Sequence, residues 1–283
     1  MITKIIHEDK IQKAHKYIEK GESFVIVTHV SPDGDAIGSA LGLFHFLNAY
    51  GKENVSVIVP NDYPNFLKWM PGTKDVTIYE KYPEFSEQLI SDADVIFCLD
   101  FNDPKRIEKL ADPVLKSEAR KVLIDHHLHP VEFCNVTMSY PNISSTSEMV
   151  FRFICRMGLF DLIDKNAAEC IYTGMMTDTG AFTYNSNHPE IYTIIGELIK
   201  LGIDKDLIYR RINQVYSEGR LRLMGYVLYE KMKVHHDMQA AMIALSVEEL
   251  NRFNYQTGDT EGFVNLPLSI EGVSFSVFIR EDS

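Results

Sequence analysis

His29, Asp33 and Asp35 stand in the run His29-Val30-Ser31-Pro32-Asp33-Gly34-Asp35, directly behind an apolar stretch at residues 24–27. A neutral imidazole with two carboxylates is a ligand set for a divalent ion such as Mn2+, Fe2+ or Zn2+. The same residues also read as a polar loop that caps the helix behind it, with Asp35 as the N-cap. Two further apolar runs end alike: residues 95–99 lead into Asp100, and residues 121–124 lead into Asp125-His126-His127. Three buried-type strands that each finish on an Asp or a His point to one cluster at one edge of one sheet. In open parallel α/β sheets the carboxyl edge is where ligands bind.

Other residues able to do chemistry lie further along. Thr177-Asp178-Thr179-Gly180 sets another carboxylate at a turn behind a helix. Ser144-Ser145-Thr146-Ser147-Glu148 opens a helix, either as an N-cap with its box glutamate or as an exposed N-terminus that binds an anion. Arg106 is either a phosphate ligand or a surface charge. His45, His129, His188, His235 and His236 receive no role, because a lone histidine is more often a surface or packing residue.

The elements that must position these residues alternate. Ile11, Ala14 and Ile18 have helical spacing and predict an amphipathic helix over 7–20. A strand at 24–27, a helix over 36–50 stopped by Gly51 and a strand at 55–59 ended by Pro60 come next. The pattern continues with a weaker strand near 76–79, a helix near 84–90, strands at 95–100 and 122–125, and a further strand within 131–138. Helices are expected from 144 to about 157 and over 165–177. The fold class is therefore α/β, a mostly parallel sheet with flanking helices over residues 1–187. From His188 the alternation stops, and helices over 189–201, 205–214 and 219–231 read as a helical connector spanning 188–231. Residues 232–283 read as a partial, smaller α+β C-terminal domain, with strands at 238–245 and 273–279 and a helix opening at Ser246.

Composition narrows the function classes. The chain has 283 residues, 45% of them apolar and 24% charged, which is an ordinary globular balance. No run approaches the roughly 18 apolar residues of a membrane span, and no secretory signal is visible, so a cytoplasmic location is expected. Cys98, Cys134, Cys155 and Cys170 form no Cys-x-x-Cys pair and read as small buried hydrophobes, not as a zinc knuckle or disulfide frame. The net charge of −12 argues against non-specific binding of long nucleic acid, whose affinity comes from Lys and Arg on phosphates. A phosphate substrate would be short, with bound cations supplying much of the attraction.

Taken in order over about residues 24–184, His29-x-x-x-Asp33-x-Asp35, Asp100, Asp125-His126-His127 and Thr177-Asp178-Thr179-Gly180 resemble the four motifs of the DHH phosphoesterase superfamily. Glu261-Gly262-Phe263-Val264-Asn265 with Ser269-Ile270-Glu271-Gly272-Val273 looks like the opening of the DHH-associated C-terminal domain. The layout is similar to that of the nanoRNase/pAp-phosphatase subgroup, which removes nucleotides from very short RNAs and dephosphorylates 3′-phosphoadenosine 5′-phosphate (pAp). The resemblance implies an enzyme with two divalent ions, Mn2+ foremost. His29 and Asp33 would hold one ion, Asp35, His126 and Asp178 the second, and Asp100 would bridge both. Two ions roughly 3.5–4 Å apart can clamp the attacking and leaving oxygens of a phosphoryl transfer, and a bridging carboxylate lets them approach that closely. His127 would act with Asp100 in catalysis, facing the substrate phosphate as donor or acid. Asp125 would orient His126 or a neighbouring ligand. Arg106, Ser144, Ser145 and Thr146 are the candidate substrate contacts.

The expected activity is hydrolysis of short oligoribonucleotides, linear dinucleotides or pAp by metal-activated water. An exopolyphosphatase or pyrophosphatase is the alternative, because the same metal motifs serve those reactions, and a non-catalytic nucleotide-binding regulator is the third reading. Short RNA or a mononucleotide bisphosphate is the expected partner, with no membrane and with a homodimer left open. The family's C-terminal domain normally continues into a Gly-Gly-Gly-His motif that residues 1–283 do not contain. The natural polypeptide is accordingly expected to extend beyond Ser283.

Overall fold

Runs of β-branched and aromatic residues with no polar alternation build a sheet that must be covered on both faces. In the computed structural model, which describes residues 4–281, six such strands pair in parallel. They are β1 (Ser23–Val27), β2 (Asn54–Val59), β3 (Val76–Ile78), β4 (Val95–Leu99), β5 (Arg120–Asp125) and β6 (Val136–Ser139). Their order is β3-β2-β1-β4-β5-β6. The helices around them are α1 (Glu8–Lys20), α2 (Gly34–Ala49), α3 (Pro83–Ser91), α4 (Ala111–Lys116), α5 (Thr146–Arg156), α6 (Lys165–Asp178), α7 (Pro189–Lys200) and α8 (Lys205–Asn213). Phe24, Ile26, Phe97 and Leu99 join the core under α1, α2, α5 and α6, while Val25, Val27, Ile96 and Cys98 join a second core with α3 and α4. The strand order reverses between β1 and β4, and in such a sheet the binding crevice lies beyond the carboxyl ends of those two strands.

Glycine spacing sets how the helices meet that edge. Gly34, Gly38 and Gly42 recur every fourth residue on α2 and face α6. A Cβ at Gly38 would stand 2.7 Å from the Cys170 carbonyl oxygen and 2.8 Å from the Gly174 nitrogen. At Gly34 it would stand 2.3 Å from Thr177 Oγ1. The backbones can approach this closely only without those side chains, and the approach sets the first turn of α2 beside the last turn of α6. Asp35 and Asp178 are brought together in this way.

Several expectations change in detail. The N-cap of α2 is Asp33, not Asp35: its Oδ1 accepts from the Asp35 and Ala36 amides, both at 3.0 Å. The strand expected within 131–138 shrinks to β6, because the Val131 amide is drawn to the Asn102 carbonyl and Asn135 Oδ1 takes the Lys121 amide. The cysteines are all free, with Cys98 and Cys170 buried and Cys134 and Cys155 half-buried. Among the described residues, no helix is long and apolar enough to cross a membrane.

The chain divides into two compact units, residues 1–212 and 213–283. The residues expected as a connector fall on both sides of that division. Ile191, Ile194, Leu198, Ile208 and Ile212 place α7 and α8 in the core of the first unit. The second unit holds α9 (Glu218–Tyr226), a π-turn at Val227–Lys231, α10 (Val247–Arg252) and a sheet of β7 (Lys233–His235), β8 (Ala240–Leu245) and β9 (Phe275–Arg280). In it β7 runs antiparallel and β9 parallel to the central β8. The sequence pattern gives no sign of β7, and Met238, expected to open the strand over 238–245, instead closes a 3-10 turn at His236–Met238. Ser246 and Glu249 make a reciprocal capping box at α10.

The glycine crossing yields a paired test. Gly38→Ala should lower stability by about 1–3 kcal/mol, the usual cost of overpacking. Gly196→Ala in α7, where an added Cβ meets nothing within 4 Å, should raise it by about 0.4–1 kcal/mol. Urea unfolding of both variants decides, and a neutral Gly38→Ala would contradict the close-crossing account.

Candidate metal centre

Three strand ends and two helix ends bring His and Asp side chains to one region. His29 follows β1, Asp100 follows β4, and His126 and His127 follow β5. Asp33 and Asp35 come from the start of α2 and Asp178 from the end of α6. His29 Nε2 lies 3.4 Å from Asp100 Oδ2 and 3.9 Å from Asp33 Oδ1. His126 Nε2 lies 3.7 Å from Asp100 Oδ1, 3.9 Å from Asp35 Oδ2 and 3.6 Å from Asp178 Oδ2. The side chains therefore fall into groups that could hold an ion: His29-Asp33-Asp100, Asp35-His126-Asp178, and Asp100-His126-His127. The two oxygens of Asp100 point to different histidines, one in each of the first two groups.

The imidazoles are held ready to coordinate. His29 Nδ1 is 2.8 Å from the Val30 carbonyl and His126 Nδ1 is 3.2 Å from the Ile143 carbonyl. A ring that donates from Nδ1 leaves Nε2 as the atom whose lone pair a metal would take in place of a proton. Asp100 sits at φ 65°, a left-handed conformation unusual for a residue with a side chain, while its amide donates to Ile124 at 3.2 Å. That strain turns the carboxylate out of the strand and across the sheet edge.

Burial and charge crowding together set the electrostatics of the site. Burial, then Asp100 and Asp178, raise the pKa of Asp35 well above the carboxylate range. Burial, then Asp100 and Asp33, push Asp178 up to about 8. Burial disfavours the His29 cation, but hydrogen bonding and attraction from Asp100, with Asp33, outweigh it and raise His29 to about 9. For Asp100, burial is again opposed and overcome, here by His29, His126 and His127, leaving it at about 2. A site whose carboxylates retain protons because they repel one another is one that a dication would relieve, and the imidazole and carboxylate donors fit that role.

The hydroxyl-rich start of α5 is committed to the protein itself. Thr146 and Ser147 donate their amides to Asp35 at 2.6 and 2.9 Å, so the anion at this helix N-terminus is an aspartate of the site. Thr146 Oγ1 donates to Asp100 Oδ1 at 2.8 Å. Ser145 caps the helix by accepting the Glu148 amide at 3.0 Å. The Glu148 carboxylate bonds Ser144 and Arg152 in place of the expected return bond to the cap. Ser144, Ser145 and Thr146 are all buried; the first two bond within the start of α5, and Thr146 reaches Asp35 and Asp100.

A chain of polar contacts also forms around His127. Asp125 Oδ1 lies 2.7 Å from His127 Nδ1, and its Oδ2 accepts the His127 amide at 3.0 Å. Asp125 thus holds His127, the neighbour of His126, where His126 or a neighbouring ligand was the expected partner. On the far side of the ring, Arg106 donates to His127 Nε2 at 3.0 Å. Nothing in the spacing of these residues pointed to this link. Thr146 was legible only as part of a hydroxyl run.

Comparison with known proteins gives a family, two relatives and a solved structure. The DHH family's N-terminal domain matches residues 23–175. The bifunctional oligoribonuclease and PAP phosphatase NrnA of Thermus thermophilus is 32% identical over 256 residues, covering 90% of this chain and 72% of that protein. Its namesake in Bacillus subtilis is 24% identical over 267 residues, covering 92% and 78%. The crystal structure of an exopolyphosphatase-related protein from Bacteroides fragilis is 60% identical with a TM-score of 0.95, covering 99% of this chain and 82% of that one.

Two outcomes are expected of the isolated protein. His29, Asp35 and Asp178 all have raised pKa values, so each favours the fold at low pH and ceases to do so as pH rises. For Asp178 the loss runs from its ordinary value of 3.8 to about 8, and for His29 from 6.5 to about 9. Asp100, at about 2, is fully ionised across this window and contributes no slope. The melting temperature of metal-free protein should therefore fall between pH 6 and 9, and the gain from saturating Mn2+ should grow over the same range. A gain that stays constant with pH would contradict the crowding. Separately, Thr146→Val should weaken Mn2+ binding in calorimetry by about 10–100-fold while Thr146→Ser retains it, the usual span for a residue that orients a ligand.

Proposed function

This chain belongs to the DHH family, and from that premise we propose that it is a two-metal phosphoesterase hydrolysing short oligoribonucleotides and pAp. The observation that carries the reading is Asp100, with one oxygen 3.4 Å from His29 and the other 3.7 Å from His126. On this reading His29, Asp33 and Asp100 hold one ion and Asp35, His126, Asp178 and Asp100 the other. When bound, the pair supplies water activation and neutralises the charge of the phosphate. Mn2+ suits the mixed imidazole and carboxylate donors better than Mg2+, which prefers all-oxygen sites.

The remaining residues handle protons and orientation. In hydrolysis a water oxygen bonds to phosphorus as the bond from phosphorus to the leaving oxygen breaks, and that oxygen takes up a proton. His127 is the group assigned to deliver it from Nε2: Arg106 turns its N–H from that nitrogen to the phosphate, and Nε2 takes up the proton that the attacking water releases and passes one to the leaving oxygen. Asp125, at 2.7 Å from Nδ1, steadies the ring and fixes which nitrogen is turned away from it. Arg106, now donating to His127 Nε2, has further guanidinium hydrogens for a non-bridging phosphate oxygen. The net charge of −12 and the four free cysteines support a cytoplasmic enzyme that takes short substrates.

The likeness to the structure of an exopolyphosphatase-related protein keeps polyphosphate as the second reading. A product-resolved assay with Mn2+ that offers pAp, a diribonucleotide, pyrophosphate and polyphosphate separates the two. Hydrolysis of the first two is expected, abolished by chelation and restored by Mn2+ better than by Mg2+. Turnover confined to pyrophosphate or polyphosphate would overturn the nucleotide reading, and full activity in chelated protein would overturn the metal reading. In the same assay Asp100→Asn should cost more rate than Asp125→Asn, for which about 10–100-fold is expected.

A further inference from the structure

The loop behind Asp178 is strained and tightly stitched. Gly180, Ala181 and Phe182 have consecutive φ values of 52°, 57° and 64°. Runs of this kind persist only where the surroundings over-determine them, and here they do. Thr179 Oγ1 donates to the Met175 carbonyl at 2.7 Å and accepts the Phe182 amide at 3.0 Å. Thr183 Oγ1 donates to Gly180 at 2.7 Å and Ser186 Oγ to Phe182 at 2.9 Å. The Phe182 ring packs on Tyr172 with centroids 5.7 Å apart.

What this rigid loop presents is Tyr184. The side chain is 51% exposed, and its amide donates to the Thr179 carbonyl at 3.2 Å. One ring edge lies on Gly180, where an added Cβ would stand 2.2 Å from Cε1. The ring therefore sits over a residue only two positions from Asp178, itself 3.6 Å from His126. Two residues span at most about 7 Å of chain, comparable with the sugar that separates a base from its phosphate. Leu128, 64% exposed, follows His127 from the β5 side.

Resting on the phosphoesterase reading, we propose that Tyr184 is the nucleobase-stacking residue of this site, with Leu128 on the β5 side. Metal ions and an arginine recognise any phosphate alike, so selection of nucleotides over inorganic chains needs a planar apolar surface beside the centre. Stacking on an aromatic ring accepts every base, because each has a π face, and it suits an enzyme that takes short RNA of any sequence. The strained loop fixes the ring before substrate arrives, so little ordering remains to be done on binding.

The test compares KM for a diribonucleotide with KM for the same molecule lacking its bases. Tyr184→Ala should raise the first about 5- to 150-fold more than the second, the range stacking spans by alanine substitution. Tyr184→Phe should restore discrimination. Gly180→Ala, which evicts the ring without removing it, should reproduce the loss, with Mn2+ binding by calorimetry reporting whether the centre is intact. Equal KM changes on both substrates, or no change, would overturn the proposal alone. A wild-type protein that hydrolyses polyphosphate but no nucleotide would overturn the phosphoesterase reading and this proposal with it.

Discussion

Like charges forced together at one sheet edge are the constraint on which the rest of this structure depends. Burial first, and then the charges of neighbouring carboxylates, push Asp35 and Asp178 far above their ordinary ionisation range. A buried carboxylate beside another carboxylate is costly, and the fold tolerates it only by supplying hydrogen-bond donors and by holding every participant from a different rigid element. Asp33 is satisfied by the first amides of α2 and Asp35 by the first amides of α5. Asp100 takes the Thr146 hydroxyl. The residual repulsion is what a pair of cations would neutralise.

Packing enforces the arrangement from behind. The glycine stripe on α2 and Gly174 on α6 let two helices meet at backbone distance, and the same closeness leaves Ser147 and Asp35 no room for a side chain at position 174. Parallel strands covered on both faces fix the other ligands, because β1, β4 and β5 end at one edge in neighbouring register. Stability of the cores and geometry of the centre are thus one problem. A helix shift that relieved the charges would have to break the tight crossing.

Much of this was legible in the sequence because it obeys local rules. Apolar runs ending on His29, Asp100 and Asp125-His126-His127 announced strands, and strand ends announce an edge. The parallel sheet and flanking helices follow from that alternation. What escaped notice depends on contacts far apart in sequence. Thr146 serves Asp35 across 111 positions and Asp100 across 46, which no spacing pattern reveals. Asp33 displaced Asp35 as the cap because the better acceptor is set by backbone geometry one residue before the turn. Arg106 meets His127 only because β4 and β5 are neighbours. The four-residue spacing of Gly34, Gly38 and Gly42 is a local pattern, but the helix it faces, α6, lies more than a hundred residues away in the chain.

The central claim is that Asp100 joins two ions in one centre. Anomalous diffraction at the manganese edge from crystals soaked in Mn2+ measures this directly. The account predicts two peaks roughly 3.5–4 Å apart, one beside His29 and one beside His126, with a single oxygen of Asp100 toward each. A lone peak, or two peaks of which neither lies against Asp100, would contradict it.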